Sequence, residues 1–257
     1  MPALVKKKSA NKSTKPKADA VDTRTIGLLA ERSLHAALKK YMAQPGDRFE
    51  VKLAGYWIDV VHREDDGSDE LIEVQTGNFG PLRRKLLALL PTHRVRLVHP
   101  LAIEKELIWL DADDEVERQR RSPIRRNVLH VFHAMTYFPD LLTHPNLTLE
   151  VLLTREAELR RPKPKKHRRA RGYTSIDRQL IEVVEHHVFE CAADLLSLLP
   201  SGLPAGFTNR DVATLAGIPL PLAQRLTYCL RKHNLIETTE KRGQSMMHRL
   251  VSPAGRG

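Results

Sequence analysis

The chain has 257 residues, 41% of them hydrophobic and 28% charged, and a formal net charge of +11. That length accommodates two domains and that apolar content a packed core, which excludes global disorder and makes metal or disulfide staples unnecessary. No apolar run approaches the ~20 residues of a bilayer span, and the N-terminal lysines are not followed by an apolar stretch. The two cysteines, Cys191 and Cys229, have no Cys or His at ligand spacing. The expectation is a soluble, cytoplasmic protein with reduced thiols and no membrane partner.

The charge is unevenly placed. Residues 1–17 hold six lysines and no acid, and residues 160–171, RRPKPKKHRRAR, hold eight Lys or Arg and no acid. These segments supply +14, so the remainder sums to −3. Both have the Lys, Pro and Ser composition of chains that bury too little to pack. The expected organisation is a basic tail (1–20), a first folded segment (21–159), a basic linker (160–172) and a second folded segment (173–252). For the tail a merely solubilising role is equally in reach. For the linker, eight cations in twelve residues repel one another and call for a polyanion, which places Lys165, Lys166, Arg168, Arg169 and Arg171 against nucleic acid phosphate.

In the first segment, apolar residues recur at helical spacing from Thr23 to Tyr41, with Asp22 as N-cap. RFEVKLA (48–54), a turn at Gly55, YWIDVVHR (56–63) and, after a polar turn, ELIEVQTG (70–77) read as three strands. Pro81 opens and Pro91 closes a helix, PLRRKLLALLP. HRVRLVHP (93–100) and KELIWLD read as two more strands, the segment from Pro123 to about Tyr137 as a helix, and LTLEVLLT (147–154) as a further strand. The order is helix, three strands, helix, strand: an α/β mixed sheet with flanking helices.

Two acids stand out against this pattern. Asp59 lies between Ile58 and Val60, and Glu73 between Ile72 and Val74. In a suitable hairpin register these carboxylates meet, and neighbouring carboxylates repel unless a cation or a proton sits between them. Hard oxygen donors of this kind suit Mg²⁺ or Mn²⁺, which acidify bound water for attack on a phosphodiester. Taken alone, Asp59 could also accept backbone hydrogen bonds or pair with Arg63 or Arg94. Twelve histidines invite metal assignments, but His130, His133 and His144 do not form a ligand set.

With this element order, Glu31, Asp59 and the ELIEVQTG strand, the segment over about residues 22–110 resembles the restriction-endonuclease-like, or PD-(D/E)xK, nuclease superfamily. The resemblance implies that Glu31 is the helix acid, Asp59 the strand acid, and Glu73 with Gln75 the D/E-x-K element. It gives the metal to Asp59 and Glu73. Gln75 stands where the superfamily usually has lysine, and some members move that lysine onto the following helix. Lys85 is the candidate here, and the adjoining Arg83 and Arg84 would hold the scissile phosphate. Nucleases of this kind often pair to cut both strands, so the resemblance allows a homodimer.

In the second segment, IDRQLIEVVEHHVF (176–189) and AADLLSLLP (192–200) carry apolar residues at helical spacing. Thr208 with Asp211 makes a capping box for NRDVATLA, Gly217 ends that helix, and PLAQRLTYCLRKH (221–233) forms the next. Leu222, Ala223, Leu226, Cys229 and Leu230 face inward; LIETTE, a turn, and SMMHRLV read as a hairpin. The arrangement over about residues 175–250 resembles a small winged helix-turn-helix domain. That likeness implies base contacts from Gln224, Arg225, Tyr228 and Arg231, with Lys232 on the same face, and backbone contacts from Lys241 and Arg242. From residue 172 onward, nine Lys or Arg stand against eight Asp or Glu, so this segment alone is nearly neutral.

The favoured reading is a DNA-associated, Mg²⁺- or Mn²⁺-dependent phosphodiesterase helped by a winged helix. The alternatives are a non-enzymatic winged-helix DNA-binding regulator on a degenerate nuclease-like scaffold, and a protein-interaction adaptor.

Overall fold

The computed structural model describes residues 33–77, 79–163 and 172–251. Glu31, Asp22, the basic tail and the linker positions Lys165, Lys166, Arg168, Arg169 and Arg171 lie outside the described residues. The first described helix, α1, spans Leu34–Met42; the Ser33 hydroxyl caps it by accepting the Ala36 N–H, and Leu34 and Leu38, one turn apart, are its buried stripe. β1 (Arg48–Leu53) and β2 (Tyr56–Arg63) meet at a two-residue turn in which Ala54 and Gly55 both have positive φ, 49° and 83°, the geometry that matches the twist of a tight hairpin. β3 (Asp69–Val74) follows, then α2 (Leu82–Leu89) behind Pro81.

The two strands expected at 93–100 and 105–111 are one, β4 (Arg94–Leu110). β5 (Val116–Arg121) folds back on it. The helix expected from Pro123 shrinks to a 3-10 turn, Val128–Val131, and one helical turn, α3 (Phe132–Met135). Arg125 falls outside both and donates to the Ser122 carbonyl at 2.6 Å.

The larger correction concerns β6 (Leu147–Pro162) and β7 (Tyr173–Phe189), because 176–189 is a strand rather than a helix. Its apolar residues suit helical spacing, but Ile176, Ile181, Val183, Val184 and Val188 are β-branched and gain more from a pleated surface. β7 pairs with β6 from Leu149↔Phe189 to Pro162↔Tyr173, and the Lys163 N–H reaches the Gly172 carbonyl at 3.0 Å. The basic run therefore connects two paired strands of one sheet instead of separating two domains, and the chain stays in that sheet through Phe189.

The large sheet has seven strands in the order β1-β2-β3-β4-β6-β7, with β5 on the distal part of β4. β1, β2 and β3 are an antiparallel meander; β3 and β6 lie parallel to β4 on its two sides. One face carries α1, where Leu34 and Leu38 pack on Val60, Ile72, Val74, Val98 and Leu152. The other carries α2 and the 129–142 segment, with Leu86, Phe132, Met135 and Phe138 fully buried.

Beyond α4 (Ala192–Leu196) come β8 (Phe207–Thr208), α5 (Asn209–Ala216), α6 (Leu220–Lys232), β9 (Ile236–Arg242) and β10 (Ser245–Leu250), with a small sheet ordered β8-β10-β9. Local grammar sets these elements. Thr208 and Asp211 cap α5 reciprocally, and Gly217 ends it at φ 62°, a left-handed conformation that costs other residues free energy. The inward stripe of α6 is the expected one, Leu222, Ala223, Leu226, Cys229 and Leu230. It does not close a core of its own, since these residues belong to the same apolar cluster as Leu86, Phe132 and Phe138. All described residues form one compact unit, and α6 is welded to the sheet through α3. At about 1.5–3 kcal/mol per fully buried large side chain, that shared cluster makes separation of the C-terminal elements costly.

Candidate functional site

The last paired residues of β2 and β3 are Val60↔Ile72. Beyond that pair the strands part, and Asp59 and Glu73 are the next residue along each of them. The backbone there is irregular: Glu50, between the β1 partners of Ile58 and Val60, has φ 51°, an uncommon conformation outside glycine. The Val74 N–H, freed from a strand partner, donates to Asp59 Oδ2 at 2.9 Å.

Cations meet both carboxylates. On α1, His35 and Lys39 lie one turn apart and reach Asp59, His35 Nε2 at 3.3 Å from Oδ2 and Lys39 Nζ at 3.7 Å from Oδ1. Lys39 also bonds Glu50. On α2, Lys85 Nζ donates to Glu73 Oε2 at 2.5 Å and to the Trp57 carbonyl at 2.6 Å. The side chains of Asp59, Glu73 and Lys85 are each only 13–14% exposed. The site thus draws on α1, β2, β3 and α2.

The electrostatics follow from this layout. Burial pushes Glu73 above the ordinary carboxylate range even with Lys85 beside it, and the Asp59 charge pushes in the same direction. Burial also works against ionised Asp59, but the hydrogen bonds from His35 and the Val74 N–H prevail and hold it low. The hydrogen bond to Asp59 raises His35 above 6.5. One carboxylate is thus raised and the other lowered, a split of the kind found at many hydrolytic sites and in structural ion-pair networks alike.

Gln75 turns along its own loop, its Nε2 donating to the Gly77 carbonyl. Its backbone is pinned by Val98 O (2.8 Å) and by His99 Nδ1 on its carbonyl (2.8 Å). Arg83 is engaged with Asp140 at 2.5 Å, so its expected phosphate role has a competitor, whereas Arg84 is exposed. On α6, Gln224, Arg231 and Lys232 are exposed and Tyr228 is half-buried with the Lys232 ammonium 5.7 Å from its ring centre. Arg225 leans toward Thr136 at 3.4 Å, and Arg242 pairs with Asp211 at 3.2 Å. Lys241 is exposed on β9.

Reasoning from the sequence missed His35, Lys39 and Glu50. The signal available was the i, i+4 placement of His35 and Lys39 on one helix face. It also missed Glu156, which is fully buried in β6 between Arg155 and Ala157. Arg178 meets its Oε2 with Nε at 3.0 Å and Nη2 at 2.7 Å, and Thr154 donates to Oε1 at 2.8 Å. The same Arg178 donates from Nη1 to the Thr76 carbonyl at 3.1 Å, tying β7 to the loop that leaves β3.

The profile of a family described as a domain of unknown function, DUF8091, matches residues 32–190. The chain belongs to the DUF8091 family. That span runs from α1 to the end of β7, so it takes in the whole large sheet, the basic connection included. An uncharacterized protein of Treponema pallidum (strain Nichols) is 32% identical over 230 residues, covering 89% of each chain. Similarity to this relative therefore extends past the DUF8091 span. No solved structure matches. Among the described residues no helix is long and apolar enough to cross a membrane.

Proposed function

We propose that this DUF8091 protein is a metal-dependent nuclease of the restriction-endonuclease-like kind that acts on DNA. The observation that carries this reading is the position of Asp59 and Glu73 just past the last β2–β3 pair, Val60↔Ile72, with the Val74 N–H on Asp59 and Lys85 Nζ on Glu73 from the following helix. The helix, three strands, helix, strand order, with β3 and β4 parallel, supports it.

The donor chemistry fits a hard divalent ion. Among the described residues there is no cluster of three or more His, Cys, Asp or Glu, but Mg²⁺ commonly takes only one or two carboxylates and leaves the rest of its shell to water and phosphate. Asp59 and Glu73 would hold it, and when bound it would acidify a water and neutralise phosphate charge. Lys85 is the positive group within reach of the same carboxylate, in the role that Gln75 cannot fill, and it acts by orienting the attacking water or stabilising charge on phosphate. The winged-helix-like C-terminal elements would add contacts through Gln224, Arg231, Lys232 and Lys241.

Cleavage of duplex DNA in the presence of Mg²⁺ or Mn²⁺ tests the reading. Asp59→Ala and Glu73→Ala should each lower the rate at least about 100-fold with DNA binding retained. Wild-type protein that binds DNA but cuts none under any divalent ion would refute it.

One observation favours a second reading. Asp59 and Glu73 already have cationic partners in Lys39, His35 and Lys85, as a structural ion-pair network would. A non-enzymatic DNA-binding regulator on a degenerate nuclease-like scaffold accounts for that arrangement and predicts binding without cleavage.

A further inference from the structure

β3 leaves the sheet at Val74↔Val98, but β4, β6 and β7 continue. Eleven residues along β4 from Val98 is Trp109, a contour of about 35 Å at the ordinary strand rise. There the register sets Arg118 of β5 and Arg160 of β6 directly beside Trp109 on its two sides. The guanidinium carbons of Arg118, Arg120 and Arg160 lie 5.1, 5.6 and 5.5 Å from the centre of the indole ring, and Tyr173 meets that ring edge-on at 5.7 Å. Under these groups Trp109 is 4% exposed.

The three cations differ in what neutralises them. Arg160 is held by Glu158 at 2.7 Å, and Glu158 is shared with Lys105. Neighbouring Arg161 is paired with Asp114. Arg118 and Arg120 are exposed, and among the described residues neither has a carboxylate within ion-pair distance. Crowding like charges on one ring costs free energy that cation–π attraction offsets only in part, so the ensemble is poised to take up an anion. The Lys- and Arg-rich run 160–171 begins on the same strand end.

We propose that this end of the sheet, centred on Arg118, Arg120 and the Trp109 ring that holds them, is a docking surface for the phosphate backbone of duplex DNA. The contour from the carboxylate site is comparable with one turn of duplex, ~34 Å, so one DNA molecule can meet both. The inference rests on the nucleic-acid part of the function proposed above, and not on hydrolysis.

The test is equilibrium binding of a 24-base-pair duplex, a length of about two turns, to the full chain carrying Asp59→Ala, in chelator, across a salt series. Arg118→Ala with Arg120→Ala should weaken binding about tenfold at 0.1 M salt and reduce the slope of log K against log salt by about 2, as expected for two lost phosphate contacts. Arg118→Lys with Arg120→Lys should keep the slope, which a merely structural role for the stack would not predict. Unchanged affinity and slope in the alanine pair overturns the inference while leaving the nuclease reading to the cleavage assay. Absence of duplex binding by the parent overturns both. Tighter binding of anionic phospholipid vesicles than of duplex, lost in the alanine pair, assigns the surface to another occupant and overturns it as well.

Discussion

At the end of β3 the charges are compensated: Asp59 meets the more exposed His35 and the little-exposed Lys39, and Glu73 meets Lys85. Eleven residues further along β4, Arg118 and Arg120 lean on one tryptophan, with no carboxylate among the described residues at ion-pair distance. The first arrangement can act only if an incoming cation or phosphate displaces a partner already in place, so its activity depends on competition. The second needs a partner to relieve it, so its role is attraction. On the function proposed above, the uncompensated end would attract a polyanion and the compensated end would carry the pH- and ion-dependent step.

Arg178 ties β7 to Glu156 of β6 and to the loop that leaves β3, and its removal has the largest expected effect on stability. Arg178→Ala leaves Glu156, with no exposed surface, without its cationic partner in the interior, which should cost about 3–5 kcal/mol in urea unfolding. Glu156→Gln should cost less, because the Arg178 side chain is 31% exposed and can turn to water. Equal losses would mean that the difference in burial between the two partners does not set the cost.

Lys85→Ala comes next. Losing a charged hydrogen bond with little exposure should remove about 2 kcal/mol at neutral pH. Glu73 already binds its proton more tightly in the folded state than in the unfolded, so its ionisation subtracts stability as pH rises through the folded value. Without Lys85 the folded value rises further, so the decline should extend to higher pH and total more. A pH series of melting temperatures on both proteins reads this directly.

A smaller effect is expected at His35. Its folded value lies above 6.5, so the stability it contributes is complete below 6.5 and is lost as pH rises through the folded value. Asp59, held low, loses its contribution only as pH falls through its own folded value. Protonated His35 competes for the carboxylate, so the divalent-ion requirement should ease as pH rises past neutrality. His35→Gln should flatten that dependence. An unaltered pH profile would remove His35 from the site. At the basic pole, Arg118→Ala with Arg120→Ala should leave the melting temperature nearly unchanged, since exposed charges contribute little to folding.

Legibility followed the range of the forces involved. The capping box at Thr208, the left-handed Gly217 and the stripe of α6 are decided within one or two helical turns, and they stand where the spacing puts them. The hairpin of β1 and β2 is set by a two-residue turn, and the register that pairs β2 with β3 up to Val60↔Ile72 follows from short connections. β7 was misread because Ile, Val and Leu at those positions satisfy helix and strand patterns alike, and only pairing with β6 discriminates. The domain boundary was misplaced for a related reason. A proline- and lysine-rich run has the composition of a linker whether it joins two domains or two neighbouring strands.

By itself, then, the amino-acid order determined which short segments cap, turn and bury, and where two carboxylates stand in apolar strands. Only the tertiary structure decided which cations those carboxylates meet, that α6 shares the core of the sheet, and that Trp109 gathers arginines from two other strands. Those pairings join residues distant along the chain, and sheet register and packing over many residues, not local propensity, bring them together.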